Sequence, residues 1–308
     1  MTYFSVLVTV KEREELDAVV SVFDAARRVA PHRRPLDPRE LANARAWARS
    51  EETRAPGVDP DQVDDHEGQR TLLAAYLGEP VDLAHVDGEP VYSVTSSANP
   101  DGRLSSWTVG GGFSHTFRAV DPAHPDLVRG ARRRDKPPAH RMEWVDGGPK
   151  WLLDLEATRS AAASYATELF DRYTEIASEH PPAEGMSAFL ARHEADPEGY
   201  PRERLREEYH AQPLVGALDK AGLGGFFDCP IDIFAVGRDS YLATHRDAAI
   251  PAWALVTLER EWVAPGEIGR FGTSTESSDD LAAYQRRTNA YLDALPDDAW
   301  LIQLECHN

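Results

Sequence analysis

The chain has 308 residues, and its 52 acidic side chains against 33 basic ones give a formal net charge of −19. A chain of this length can bury a substantial core, so its stability needs neither a metal nor crosslinks. The charge disfavours broad nucleic-acid binding because phosphate backbones would be repelled, although an acidic surface can also keep a protein in solution or imitate nucleic acid. With only two cysteines, Cys229 and Cys306, the sequence predicts neither a disulfide framework nor a thiolate zinc cluster.

The sequence also bears on compartment and partners. The first residues contain no basic leader, and no apolar run approaches the length of a membrane span. We therefore predict a cytoplasmic protein with no membrane partner. No cofactor is indicated, and the sequence leaves open a protein partner, a small-molecule partner or a homo-oligomer.

The first elements in chain order are a strand and two helices. Residues 2–10 are rich in β-branched and aromatic side chains, which predicts a strand, and the apolar spacing over residues 16–23 predicts a helix after it. Asp37 and Pro38 are typical of an N-cap and first helical turn, so a second helix is expected through Trp47. The polar residues 51–68 are expected to form a loop or insertion.

Two further segments alternate apolar and polar side chains. These are residues 91–96 and 107–119, and the turn signal of residues 99–102, Asn-Pro-Asp-Gly, lies between them. Together they predict a β-hairpin. The basic run of residues 129–136 follows, and it has two interpretations, a solvated loop or a site for an anionic group. The arginines considered for such a site are Arg132, Arg133 and Arg134.

The middle of the chain is predicted to be helical and its end returns to strand. One long amphipathic helix is expected over residues 154–178, with its apolar side facing a core. The residues on that side are Leu155, Ala162, Tyr165, Leu169, Tyr173 and Ile176. Further helices are expected over residues 187–195, 202–221, 234–249 and, capped by Asp279 or Asp280, up to Leu295, and strands over residues 252–263 and 300–306.

This order of elements predicts an α+β fold, with a mainly antiparallel sheet built from the N- and C-terminal strands and a helical block in the middle. Strand-helix-strand units do not repeat at even spacing, which disfavours a doubly wound nucleotide-binding fold. The first and last strands are expected to pair within that sheet, since an apolar strand left at an exposed edge invites aggregation. We predict one α+β domain over residues 1–308, with residues 154–249 as a candidate helical subdomain.

The run Gly110-Gly111-Gly112 is the first candidate site. A phosphate loop would need a lysine and a helix start behind the glycines, and neither is present, so a bulge or a close backbone approach is favoured. The alternative is a groove in which a planar or sugar-like ligand lies against aromatic rings. The candidate ligand-binding residues are Trp107, Gly110, Gly111, Gly112, Phe113 and His115.

Three residues are candidates for catalysis. Cys306 and His307 place a thiol beside an imidazole, which can serve as a nucleophile and its base. Neighbouring side chains on a strand point to opposite faces, however, so a small buried Cys306 is favoured. His210 stands close to Glu207 and Glu208, which could raise its basicity, or it is a surface group near a helix end. No segment has the spacing of a zinc-binding helix, so no metal is predicted.

Five segments of the chain carry a resemblance that spans nearly its whole length. They are MTYFSVLV, NPDGRLSSWTVGGGF, REEYHAQP, EWVAPGEIGRFG and LPDDAWLIQLECHN. In this order they resemble a family of uncharacterised proteins found in phages and actinobacteria, marked by the motif Trp-Asp-Trp-Tyr-x-Ile-Gly-Gly-Arg-Trp and a tail ending in Asp-Cys-His. The resemblance implies no particular activity.

The chain departs from that motif at the side chains that could orient a polar ligand or carry a proton. Leu104, Ser105 and Ser106 stand in place of Trp-Asp-Trp, and Gly112 stands in place of the arginine. If the motif is catalytic in the family, this chain is weakened or altered, whereas a backbone and aromatic binding surface could persist. The departures therefore favour binding over catalysis.

Two functions follow as hypotheses. The first is a binding or regulatory protein of phage-related origin, acting as an accessory or anti-defence factor. The alternative is a small-molecule enzyme that acts on a nucleotide-like or other anionic metabolite. In that case Cys306, His307 and His210 would be the reactive groups, and the arginines at 132–134 would attract the anion.

Overall fold

The structure is a computed structural model that describes residues 3–49, 65–130, 142–223, 229–267 and 275–307. Contacts divide the chain into a large unit, Met1–Val20 with Ser106–Asn308, and a small unit, Ser21–Ser105. The two units are described separately below, and the expectation of one domain over residues 1–308 stays a prediction. Strands in antiparallel sheets and helices confirm the α+β class.

The large unit contains nine described strands and eight described helices. The strands are β1 (Tyr3–Val10), β5 (Ser106–Val109), β6 (Phe117–Ala119), β7 (Trp144–Val145), β8 (Gly147–Pro149), β9 (Leu153–Asp154), β10 (Ala254–Val256), β11 (Trp262–Val263) and β12 (Trp300–His307). The helices are α1 (Leu16–Val20), α4 (Leu155–Ser178), α5 (Met186–Ala195), α6 (Arg202–His210), α7 (Pro213–Lys220), α8 (Pro230–Ala235), α9 (Arg238–Asp247) and α10 (Ser278–Ala294).

The central sheet of the large unit has the strand order β11-β10-β1-β12-β5, and β8 also pairs with β12. β1 is antiparallel to β12 along its whole length, with Val6 opposite Leu304. This confirms that the first and last strands pair within the sheet, and it shows that they pair with each other. β10 is parallel to β1, while β11, β5 and β8 make antiparallel pairs. A separate small sheet has the order β7-β6-β9.

The apolar core of the large unit lies under the central sheet. Leu7 of β1 and Leu301 of β12 are fully buried there, and they belong to one cluster with Leu292 of α10. Residues near the two ends of the sequence therefore belong to one core. Removing this apolar surface from water is the main force that holds the two chain ends together.

Helix α4 confirms the long helix expected over residues 154–178. Its N-terminus is capped by Asp154, whose carboxylate accepts the Ala157 N–H at 2.8 Å. One expectation for this helix is wrong, because Tyr165 is 59% exposed and does not face the core. In the C-terminal half of α4, Tyr173 stacks on Phe234 of α8, and their ring centroids are 4.3 Å apart.

The start of α10 differs from the sequence expectation. Ser277, and not Asp279 or Asp280, is the N-cap, because its hydroxyl accepts the Asp280 N–H while the Asp280 carboxylate accepts the Ser277 N–H. Such a capping box places its acidic residue three positions after the cap. Among the described helices, none has the combination of length and apolar character that a membrane crossing requires.

The small unit contains a three-stranded sheet and two helices. Its elements are β2 (Arg28–Pro35), α2 (Pro38–Arg49), α3 (His66–Leu77), β3 (Asp82–Val86) and β4 (Glu89–Ala98), and the strand order is β2-β4-β3. Its core joins Ala44 of α2, Leu72 of α3 and Val94 of β4. The helix predicted after Asp37-Pro38 is confirmed, and the part of the predicted loop at residues 51–64 lies outside the described residues.

The predicted hairpin of residues 91–96 with 107–119 is wrong. β4 pairs instead with β3 through the tight turn at Asp87 and Gly88, where both φ angles are positive, at 52° and 87°. A two-residue turn of this kind suits the twist of an antiparallel pair and needs little loop closure. Residues 107–109 pair with β12, and the segment after them leaves the sheet in a 3₁₀ turn at Gly111–Phe113.

Candidate functional site

The two faces of β12 differ in chemistry. Ile302, Leu304 and Cys306 alternate on one face and are fully buried. Gln303 and Glu305 occupy the other face and are also buried, at 2% and 4% exposure. Buried polar side chains are costly unless they are hydrogen-bonded. The hydrogen-bond partners of Gln303 and Glu305 therefore show how this strand accommodates polar side chains in the interior.

The glycine run, residues Gly110 to Gly112, packs tightly against this polar face. Gly110 and Gly111 have φ angles of 71° and 57°, which favour glycine. A Cβ on Gly110 would lie 2.8 Å from Asp146 Cγ, and one on Gly111 would lie 2.7 Å from Glu305 Cβ. The close backbone approach expected from the sequence is confirmed, and the atoms approached are those of two acidic side chains.

The two carboxylates hold the backbone around the glycine run. Glu305 Oε2 accepts the Gly112 N–H at 2.7 Å. Asp146, which is 2% exposed, accepts the His115 N–H at 2.6 Å with one oxygen and the Gly130 N–H at 2.7 Å with the other. Hydrogen bonds to a charged acceptor are stronger than those between neutral groups. These carboxylates are therefore engaged in shaping the backbone.

Gln303 stands where β12 changes its neighbour. Ile302 lies opposite Gly147 of β8, whereas Leu304 lies opposite Val109 of β5. At this junction the Gln303 N–H donates to the Asp146 carbonyl at 2.8 Å, and the Gly110 N–H donates to the Gln303 carbonyl at 2.9 Å. The backbone of Gln303 is thus satisfied.

A cleft of about 460 Å³ opens beside this junction, within the large unit. Ligand sites in proteins have similar volumes. Its polar and aromatic lining comes from Ser5, Phe113, Ser114, His115, Thr116, Trp144, Thr158, Tyr165 and Gln303. Its apolar lining comes from Ala161 and Ala162 of α4 and from residues 249–252, so no Asp, Glu, Lys or Arg among the described residues lines it.

Hydrogen bonds fix two walls of the cleft. On the α4 wall, the Thr158 hydroxyl donates to the Asp154 carbonyl at 2.8 Å and accepts the Arg118 N–H at 3.0 Å. On the opposite wall, the buried Tyr284 hydroxyl donates to the Ala252 carbonyl at 3.0 Å, and burial raises the pKa of Tyr284. The raised pKa keeps this tyrosine protonated, so it stays a donor at neutral pH.

Cys306 lies on the opposite face of β12 and is sealed in the core. It is 0% exposed, and it pairs with Phe4 of β1 and Trp107 of β5. Burial raises the pKa of the Cys306 thiol to about 12, with a smaller contribution from Glu305. A nucleophile must be accessible and form a thiolate. The structure therefore argues against Cys306 as a nucleophile and agrees with the small buried residue expected from strand alternation.

The other two catalytic candidates lie apart from Cys306. His307 follows it on the polar face of β12, where its Nε2 is 3.7 Å from Glu305 Oε1 and its ring meets the Tyr3 ring at 3.9 Å between centroids. His210 is exposed in the last turn of α6, which packs mainly against α5 and α7 in the helical block. The structure therefore does not bring Cys306, His307 and His210 together into one catalytic site.

The predicted ligand-binding residues divide into three sets. Phe113 and His115 line the cleft, whereas the glycine run is not part of the lining. Trp107 does not line it, because it shares the opposite sheet face with Cys306. The arginines at 132–134 lie outside the described residues.

The sequence reading missed most of the cleft. The sequence patterns do not point to Ser5, Thr158 or Gln303, and helical periodicity places Tyr165 in a core. One signal was present in the last strand, where Gln303 and Glu305 interrupt an apolar run at every second position. In a strand with both faces buried, such an alternation indicates a functional or structural polar face.

The comparisons with known proteins leave the site to be interpreted from its own chemistry. Protein-family models, curated proteins and solved structures give no match to this chain. Among the parts of the chain that the structure describes, no group of three or more His, Cys, Asp or Glu side chains could hold a metal ion.

Proposed function

We propose that this chain is a soluble, cytoplasmic binding or regulatory protein, and that the cleft of the large unit holds a small neutral ligand. The observation that carries this proposal is the lining of the cleft, which combines aromatic, hydroxyl and amide groups with no described acidic or basic side chain. An anionic ligand would lose its hydration there without gaining a cationic partner, which is unfavourable.

The surrounding chemistry supports binding over reaction. The nearest buried carboxylates, Asp146 and Glu305, already accept backbone N–H groups. The Cys306 thiol is buried and protonated at neutral pH. Acid–base or nucleophilic catalysis needs groups that reach the substrate in the correct protonation state. His115 is the one described imidazole on the cleft wall.

The resemblance to phage and actinobacterial proteins supports a phage-related origin and a role as an accessory or anti-defence factor. This part of the proposal rests on sequence segments alone. The replacements at residues 104–106 and 112 fit it, since they remove charged and proton-carrying side chains and keep the glycine run. A ligand in the cleft would then act as a signal that regulates binding of a partner.

A cleft-filling variant tests the binding function. In Ala161→Trp an indole would occupy the cleft, whereas Ser164→Trp places the same ring on an exposed part of α4 outside the lining. We expect wild-type protein purified from its own host to retain a neutral small molecule in native mass spectrometry. Ser164→Trp should retain it and Ala161→Trp should not.

Two results would contradict the proposal. One is wild-type protein that carries no small molecule and gains no thermal stability from a panel of neutral metabolites. The other is consumption of a nucleotide or similar anion by wild-type protein, which Ala161→Trp abolishes, because this would support the enzyme hypothesis.

A further inference from the structure

Gln303 presents an unused acceptor to the cleft. Its side chain is 2% exposed, and its Nε2 donates to the Leu304 carbonyl at 3.0 Å. Within the described part of the chain, no donor makes a hydrogen bond to Gln303 Oε1. This oxygen is not one of the fully buried side-chain atoms that lack a partner, so it is accessible to a molecule in the cleft. Since Gln303 lines the cleft, a ligand there can supply the missing N–H.

Ser5 presents a donor on the same side of the sheet. Its hydroxyl oxygen accepts the Trp253 N–H at 3.0 Å, and the structure shows no acceptor for its own proton among the described residues. Ser5 lies opposite Glu305, and Gln303 lies opposite Leu7, so Ser5 and Gln303 are diagonal neighbours on adjacent strands. Side chains in this relation are within reach of one ligand.

Two aromatic rings stand at the rim of the cleft. Phe113 and Tyr165 are 38% and 59% exposed, which leaves ring surface available for contact. Exposed aromatic faces favour planar partners that stack on them. The cleft therefore combines an acceptor and a donor at its floor with flat apolar surface at its rim.

From these observations we infer that the ligand is a neutral planar cyclic amide, the chemical class that includes uracil, hypoxanthine and 2-pyridone. Its ring N–H donates to Gln303 Oε1, its carbonyl accepts a hydrogen bond from the Ser5 hydroxyl, and its ring lies against Phe113 and Tyr165. This inference rests on the proposed function, since it names the ligand class of the same cleft.

Calorimetric titration of the full chain with uracil, hypoxanthine and 2-pyridone tests the inference. At least one of them should bind saturably. The N-methylated analogues, 1,3-dimethyluracil and 1-methyl-2-pyridone, keep the ring and the carbonyls but cannot donate a ring proton. We expect their affinities to be at least about tenfold lower than those of their parents, because the Gln303 oxygen then receives no hydrogen bond from the ligand.

Two pairs of variants test whether Gln303 and Tyr165 contact the bound amide. Gln303→Met keeps the length of the side chain without the amide, so the parent amide should bind about tenfold more weakly and the N-methylated analogue about as before. Gln69→Met, in the small unit, is the matched control. Tyr165→Ala should also weaken binding, whereas Trp151→Ala, which removes an exposed ring elsewhere, should not.

The inference and the proposed function fail differently. If none of the three amides binds, or if they bind no better than their N-methylated analogues, the inference is wrong. A different neutral molecule that Ala161→Trp displaces would leave the proposed function intact, whereas no small molecule of any kind in the cleft would remove both. Thermal unfolding checks that Gln303→Met is folded, and the surface variant Tyr165→Ala keeps the test valid if it is not.

Discussion

The apolar and polar faces of β12 show how one strand can be both a core element and part of a site. On the apolar face, Ile302, Leu304 and Cys306 are sealed by neighbouring strands and side chains. On the polar face, Glu305 accepts a hydrogen bond from the Gly112 N–H of the glycine run, and Gln303 lines the cleft. The difference teaches that burial alone does not identify core positions, because a buried polar group needs a partner, and at Gln303 the open acceptor faces a cleft.

The largest expected effect comes from the glycine run that covers the polar face. In Gly111→Ala the new methyl group would lie 2.7 Å from Glu305 Cβ in a backbone with φ of 57°. We expect a loss of about 3 kcal/mol in the free energy of unfolding, measured with urea. Gly216→Ala, in the interior of α7 with open space around it, should instead stabilise by about 0.5–1 kcal/mol.

Similar stability changes in Gly111→Ala and Gly216→Ala would contradict the prediction. Equal effects at Gly111 and Gly216 would mean that the glycine run moves away from Glu305 without cost. The polar face would then not depend on a close backbone approach.

Asp146→Asn should have the next largest effect. One carboxylate oxygen accepts the His115 N–H and the other accepts the Gly130 N–H. Asparagine keeps one of these oxygens and replaces the other with an NH₂ group, which cannot accept a hydrogen bond. We expect urea unfolding to show a loss of about 2 kcal/mol. Asp121→Asn, where an exposed carboxylate accepts the Ala123 N–H, should change stability little. A similarly small change at Asp146 would show that the junction holds without its charge.

The apolar face can be tested through pH. The raised pKa of Cys306 lies at about 12, against an ordinary value of 9.0, so the folded state holds the thiol proton more tightly than the unfolded state. Its contribution to stability is complete below pH 9 and is lost as pH rises towards 12. For wild-type protein this one group should lower the free energy of unfolding by about 1 kcal/mol between pH 9 and pH 10.

The matched variant is Cys306→Ala, unfolded with urea beside the wild-type protein at pH 8, 9 and 10. The decline of stability with pH should be shallower in Cys306→Ala than in the wild-type protein. Identical slopes in the two proteins would place the Cys306 thiol in contact with solvent and would contradict its burial.

The smallest effect is expected at the end of the polar face. His307→Phe keeps a ring against Tyr3 and removes the imidazole that lies 3.7 Å from Glu305 Oε1. Because Glu305 still accepts the Gly112 N–H, we expect a loss of about 0.5–1 kcal/mol in a urea titration. A loss of about 3 kcal/mol, as expected at Gly111, would mean that the position of Glu305 depends on His307 as much as on the glycine run.

The sequence reading identified most of the elements that build the sheet and helical block. The strand at residues 2–10, the long helix after Asp154 and the last strand were read correctly from periodicity and capping signals. The partner of β5 was not, since a hairpin with β4 was expected and the structure pairs β5 with β12. Alternation shows that a segment is a strand but carries no information on which distant strand it meets.

Local patterns in the sequence predict the α+β class and the two faces of β12, and at the glycine run they favour a bulge or a close backbone approach over a ligand groove. The tertiary structure alone decided what the glycines approach and what the polar face meets. Asp146, Gly110 and Gln303 come from three distant segments, and they meet because β5 and β8 pair with different halves of the same strand. Pairings of that kind depend on the burial of shared apolar surface across the whole unit, which no local pattern records.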